Sequence, residues 1–142
     1  MPCRRRCSIV AIASATSSHP PRHPFRGRVA YHDACHLGHA QQVREQPRAV
    51  LRSVPDLQLV DLPEAALCCG SAGIYNMLMP EAAGDLGARK AVNVRSVEPD
   101  VVVTANPGCL LQIGKHLGRD VPLLHPVQLL DASIRGVPVP RS

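Results

Sequence analysis

Val101-Val102-Val103-Thr104 is an unbroken run of β-branched residues, and it limits the folds open to this chain more than any other feature. A strand with one wet face alternates apolar and polar residues, whereas a continuous run suits a strand covered on both faces, as in a parallel sheet. The flanking segments agree with that reading. Val29-Ala30-Tyr31-His32 reads as a short strand, ended by Asp33-Ala34-Cys35-His36-Leu37-Gly38-His39. A helix starting near Gln46-Pro47 would turn Val50, Leu51 and Val54 inward, with proline tolerated in its first turn and Pro55-Asp56 stopping it. Leu57-Gln58-Leu59-Val60-Asp61 is a second strand. From about Ile74 to Val97 the pattern is helical and broken near Pro80, with Ala82, Ala83, Leu86, Val94 and Val97 as an apolar stripe that Gly84 and Gly87 interrupt. After the Val101 strand come a helix from Pro107 to Leu117, a strand at Val121 to Leu124 and a helix from Val127 to Ile134. This alternation predicts an α/β fold, a mostly parallel sheet with covering helices.

The 142 residues suffice for one core and not for two. With no Trp, one Phe and two Tyr, that core must be built from Val, Leu, Ile and Ala. The net charge of +5 is unevenly spread. Residues 1–28 hold six arginines and no acid, while residues 29–142 hold ten basic and eleven acidic residues, a formal −1. The body therefore has no basic face and few aromatic rings for stacking bases, which excludes nucleic acid as the expected partner. Residues 1–27 read as a disordered leader or a misplaced start, residues 28–135 as the domain, and residues 136–142 as a loose tail. No run approaches the roughly 20 apolar residues of a membrane span.

Cysteine placement supplies the chemistry. Cys3 and Cys7 lie in the leader, Cys68 and Cys69 are adjacent, and Cys35 and Cys109 stand alone. This is not the spacing of a secreted disulfide framework, and neighbouring cysteines sit too close to bridge comfortably. Reduced thiols and a cytoplasmic setting follow. Cys35, Cys68, Cys69 and Cys109 each come just after a strand. In a parallel sheet the loops leaving the strand C-termini share one edge, the edge where ligands bind. Four thiolates gathered there suit an iron-sulfur cluster or zinc. The absence of paired Cys-x2-Cys knuckles favours the cluster, and Gly70, Gly73 and Gly108 would let backbone N–H groups approach its sulfides. His32, His36 and His39 flank Cys35, and His125 follows the last strand. With four thiols available, these histidines are expected to hydrogen-bond around the site or face solvent, and His116 to be structural. No Gly-x-Gly-x-x-Gly, P-loop or Ser/His/Asp order supports a nucleotide, flavin or hydrolase reading.

Three ordered motifs, Asp33-Ala34-Cys35-His36-Leu37, Leu67-Cys68-Cys69-Gly70-Ser71-Ala72-Gly73-Ile74-Tyr75 and Asn106-Pro107-Gly108-Cys109-Leu110, resemble the cysteine-rich CCG domain of the glycolate oxidase iron-sulfur subunit. The same domain type occurs in heterodisulfide reductase, anaerobic glycerol-3-phosphate dehydrogenase and lactate-utilisation subunits. The resemblance covers about Arg28 to Arg135. It implies an electron-transfer module of a 2-hydroxy acid oxidase complex, receiving electrons from a flavin-containing subunit. It also allows peripheral membrane association through that complex. The module itself would hold no substrate-oxidising centre. The implied ligands are Cys35, Cys68, Cys69 and Cys109 around a 4Fe-4S cluster, with Asn106, Gly70, Gly108, His36 and His125 next to them.

Two departures from the family pattern stand out. The fuller family motif ends in Cys-x-x-Cys, and Asn106 takes the place of its first cysteine. With 32 residues between Cys35 and Cys68 and 36 between Cys69 and Asn106, the register otherwise fits. Four candidate thiolates remain, which favours a conventional cluster over a five-thiolate noncubane one. The ferredoxin-type cysteine runs and first CCG domain of longer family members are not in this sequence. A zinc-binding or metal-free docking domain is the alternative, and thiol–disulfide chemistry at Cys68-Cys69 a weaker one.

Overall fold

The Val101–Thr104 run lies inside a four-stranded sheet, fully buried as its composition demands. The computed structural model describes residues 20–119 and 121–139; Cys3 and Cys7 lie outside the described residues. The strands are β1 (Gly27–His32), β2 (Leu57–Asp61), β3 (Val101–Thr104) and β4 (Leu123–Leu124), in the order β2-β1-β3-β4. Every pairing is parallel. The helices are α1 (Glu45–Arg52), α2 (Tyr75–Leu78), α3 (Pro80–Ser96), α4 (Pro107–Leu117) and α5 (Pro126–Arg135). The expected α/β architecture is what the chain adopts.

Alternate residues of the central strands feed two apolar layers. Ala30 and Val102 point to the layer that holds Leu62, Cys69, Ala91, Val94, Cys109, Ile113 and Leu117, contributed largely by α3 and α4. Val29, Tyr31, Val101 and Val103 point to the opposite layer with Leu51 of α1 and Leu129 of α5. Chain direction accounts for this division. The β1-to-β2 and β2-to-β3 crossovers run opposite ways across the sheet, so right-handed connections put α1 and α3 on opposite faces.

Local chemistry sets the element ends. Asn106 caps α4, its Oδ1 accepting the Cys109 N–H at 3.1 Å, and Pro107 fills the first turn. His125 caps α5: its Nδ1 accepts the Val127 N–H at 3.3 Å while Gln128 Oε1 accepts the His125 N–H at 2.8 Å. Gly136, at φ 64°, closes that helix. The helical stretch from Ile74 breaks at Met79, at φ −129° and ψ 63°, because a residue before proline is driven out of the helical region.

Three details differ from the sequence pattern. A π-helical turn, His36–Ala40, stands in the segment read as a loop after β1. β4 is confined to Leu123–Leu124, since Pro122 has no N–H to give a ladder and serves only as acceptor, from Val102 N–H at 2.9 Å. The inner face of α3 is Ala83, Gly87, Lys90, Ala91 and Val94, rotated from the expected apolar stripe. Gly87 explains the rotation: a Cβ there would lie 2.4 Å from the His116 ring, so α3 approaches α4 closely only with glycine at this position.

His23 and Phe25 are tied to the domain. The His23 N–H donates to the Ser133 carbonyl at 2.8 Å and the Ser133 hydroxyl donates to the His23 carbonyl at 2.7 Å. Phe25 packs against the layer formed by Val50, Val54 and Leu130, and its N–H donates to the Pro55 carbonyl at 2.9 Å. A chain beginning at Arg28 is therefore predicted to be less stable than one beginning at Pro20. Phe25→Ala is predicted to cost about 1–2 kcal/mol, less than a fully buried Phe because the ring is half-exposed. Urea denaturation measures both, and identical midpoints for the two truncations would contradict the prediction.

Candidate metal centre

Strand order reverses between β1 and β3: β2 lies on one side of β1, while β3 and β4 lie on the other. Such a switch opens a crevice outside the strand C-termini. The loop after β1 carries Cys35 and the start of α4 after β3 carries Cys109. The loop after β2 brings in Cys68 and Cys69. Cys69 and Cys109 are buried, and Cys35 and Cys68 are half-buried. The Cys69 and Cys109 sulfurs lie 3.2 Å apart. Cys69 and Cys35 lie close enough to Cys68 to help raise its thiol pKa. All four sequence-predicted thiols thus lie near one another, with Cys69 and Cys109 in direct contact.

Their environments differ. The thiolate of Cys69 is favoured by its hydrogen bond with Cys109, and by hydrogen bonds from His32 and the Ser71 N–H, against the cost of burial. Cys109 is pushed the other way by the same sulfur contact and by burial. Burial raises the Cys68 thiol, and the Gly70 N–H, 3.4 Å from its sulfur, partly offsets this.

His32 is the histidine that enters the pocket. Strand alternation puts it on the same face as Ala30, toward Cys69 and Cys109, and it is 1% exposed. Its ligand atom and the Cys69 and Cys109 sulfurs lie within 4.8 Å of one another. His32 Nδ1 and the hydroxyl of Thr104, its register partner on β3, are buried without a hydrogen-bond partner among the described residues. An unpaired buried polar atom costs about 1–3 kcal/mol. Two such atoms beside the buried Cys69 and Cys109 sulfurs, with Cys35 and Cys68 nearby, suit an iron-sulfur group or a thiophilic ion. The period-two pattern of Val29-Ala30-Tyr31-His32, extended to its last member, is the sequence signal for His32.

The neighbouring residues hold the loops in place. Asn106 Nδ2 lies 3.1 Å from His36 Nδ1, joining the β1 and β3 loops, while its Oδ1 caps α4. His125 serves as the α5 cap, and burial lowers its pKa. Gly70, at φ 89°, leaves no room for a side chain, because a Cβ would sit 2.5 Å from the Ala83 carbonyl oxygen of α3. At Gly108 a Cβ would meet Ser71 Oγ at 2.7 Å, so this glycine lets α4 start against the Cys-Cys-Gly loop. Gly73, at φ 65°, has open space around it. His39 is exposed.

Arg48 fixes the Cys35 loop from below. Its guanidinium grips Asp33 through two bonds of 2.8 and 2.7 Å, donates to the Arg44 carbonyl at 3.0 Å and lies 5.1 Å from the centre of the Tyr31 ring. Beside the Cys-Cys-Gly loop, Ile74, Met77, Leu78 and Met79 are exposed, as is Leu111 of α4. Between them lies a cleft of about 440 Å³ bordered by Ser71, Met77, Gly108, Leu111 and Lys115.

An all-parallel α/β sheet presenting four cysteines from three loops at its C-terminal edge defines a cysteine-rich α/β domain. Residues 29–114 match the model of the CCG cysteine-rich domain, and the chain belongs to that family. It is 39% identical over 112 residues to a fumarate reductase (CoM/CoB) subunit of Methanothermobacter marburgensis, an alignment covering 76% of this chain and 23% of that protein. It is 31% identical over 115 residues to a lactate utilization protein of Oceanobacillus iheyensis, covering 79% and 47%. It is 38% identical over 92 residues to a probable glycolate oxidase iron-sulfur subunit of Bacillus subtilis, covering 65% and 21%. The chain spans less than half the length of each of these relatives.

The Arg48–Asp33 pair yields a prediction. Asp33→Asn leaves Arg48 with Asp61, the Arg44 carbonyl and the Tyr31 ring, whereas Arg48→Met strands a largely buried carboxylate. Arg48→Met is predicted to cost about 2–3 kcal/mol and Asp33→Asn less. Chemical denaturation of the two variants checks the order, and the reverse order would contradict it.

Proposed function

We propose that this domain is an iron-sulfur electron-transfer module of a multi-subunit oxidoreductase, with Cys35, Cys68, Cys69 and Cys109 as the ligands of a 4Fe-4S cluster. The observation that carries this reading is the convergence of four thiols from three loops beside buried polar atoms that have no partner among the described residues. The named iron-sulfur proteins among the relatives support it. When bound, such a cluster would supply one-electron transfer. The chain's own residues hold the thiols in register, the Ser71 and Gly70 N–H groups favour the thiolates, and the layer of Leu62, Ala91 and Val94 excludes water from the buried pair.

The exposed apolar residues beside the Cys-Cys-Gly loop support function in a complex, since such a patch next to a redox site serves for contact. A flavin-containing 2-hydroxy acid oxidase subunit is the proposed electron donor, in a cytoplasmic complex. No helix among the described residues is long and apolar enough to cross a membrane. The isolated chain is expected to show no glycolate oxidation; rapid turnover by it alone would refute the partnership. A second reading, one zinc ion, is favoured by the closeness of His32, Cys69 and Cys109. Metal analysis and EPR of anaerobically purified protein separate the two: iron with acid-labile sulfide supports the cluster, and stoichiometric zinc without iron overturns it.

Asn106 and Cys109 provide the residue-level test. Cys109→Ala is predicted to lose most of the iron. Asn106→Ala is predicted to keep the cluster with a shifted midpoint potential, because it frees both His36 and the Cys109 N–H. Full iron in Cys109→Ala would show the ligand set to be wrong, and an unshifted potential in Asn106→Ala would reduce Asn106 to a helix cap.

A further inference from the structure

Lys90 is fully buried, at 0% exposure, on the inner face of α3. Among the described residues its ammonium has one hydrogen-bond acceptor, the Glu64 carbonyl at 2.8 Å. A buried ammonium is costly unless a countercharge compensates it, and a single neutral carbonyl does not. The neighbouring cations are already matched: Arg89 pairs with the Glu64 carboxylate and Arg48 with Asp33. Lys90 is different. The helix face it occupies forms a seam with the segment from Pro63 to Gly70: Asn93 bonds the Pro63 carbonyl at 3.1 Å, Lys90 bonds Glu64, and the Ala83 carbonyl lies where a Gly70 Cβ would be. Ala91, next in sequence, belongs to the same buried layer as Cys69 and Cys109. The seam therefore places a buried amine, bonded to a neutral carbonyl, along the loop that presents two of the thiols.

We propose that Lys90 is the buried counter-cation of the metal centre, offsetting the negative charge of the thiolate-bound group and raising its reduction potential. The proposal rests on the iron-sulfur reading above. Burial holds the Lys90 pKa below its usual value, and of the negative groups that oppose burial the Cys69 sulfur comes first, ahead of Glu64, Asp33 and Cys68, so a more negative centre would hold the ammonium more firmly. Adding an electron to the centre deepens its negative charge, so a fixed cation nearby stabilises the reduced form most. A residue that only tethered the Glu64 carbonyl would have no such effect.

The test uses the full chain, reconstituted anaerobically with iron and sulfide, as wild type, Lys90→Met, Lys90→Gln and Lys90→Arg. The neutral variants are expected to fold at least as stably as wild type when metal-free, because they remove a buried charge. Once loaded, they should show a midpoint potential lowered by the equivalent of a tenfold or greater change in the reduced-to-oxidised ratio, about 59 mV for a one-electron couple. Folded neutral variants that fail to load iron would support the same role, as would retention of the wild-type potential by Lys90→Arg. Loaded neutral variants with the wild-type potential would overturn the proposal and leave the iron-sulfur reading intact. Neutral variants without a cooperative unfolding transition would also overturn it, assigning Lys90 to the fold. A wild type that takes up no iron would overturn both.

Discussion

The parallel pairing of β1 with β3 is the constraint on which the rest depends. It sets His32 beside Thr104 in register, and places the chain after each strand on the same side of the sheet. From there the Cys35 loop and the capped start of α4 need only short paths to meet, and Asn106 closes the gap with one bond to His36. Had the two strands paired antiparallel, those loops would leave from opposite ends. The helices serve the same arrangement. α3 and α4 come close because Gly87 faces His116, and that closeness carries the Cys-Cys-Gly loop into the buried layer with Cys109.

Electrostatics then divides the four sulfurs. The Cys69–Cys109 pair is enclosed and in contact, whereas Cys35 and Cys68 lie toward solvent. Two of the three loops are backed by a cation from a different layer, Arg48 behind the Cys35 loop through Asp33 and Lys90 behind the Cys68–Cys69 segment through Glu64. A site that gathers several thiolates in a low-dielectric pocket needs such charges, since burial alone would favour neutral thiols and weaken them as ligands.

Much of the fold was legible because its signals are local. The β-branched Val101 run, the proline before α3 and the Asn106-Pro107 cap each act within a few residues, and the limits of α4 read from sequence are those found. The convergence of the cysteines followed from the parallel topology alone. What escaped depended on contacts between distant segments. Lys90 gives no signal in the sequence, because nothing nearby shows that α3 turns its glycine and lysine inward to meet His116 and Glu64. Arg48 is unremarkable until Asp33 lies beneath it. His32 was among the histidines weighed around Cys35, but its separation from His36 and His39 required extending the strand alternation one residue further. Phe25 belongs by composition to the leader and by packing to the domain.

The central claim is that the three cysteine-bearing loops hold one common metal group. Native mass spectrometry of the anaerobically reconstituted chain addresses it most directly, since it weighs whatever a single folded copy retains. The account predicts a dominant species heavier than the bare polypeptide by four irons and four sulfides, absent from the Cys109→Ala variant. A dominant species carrying a single zinc ion, or the bare polypeptide alone, would contradict it.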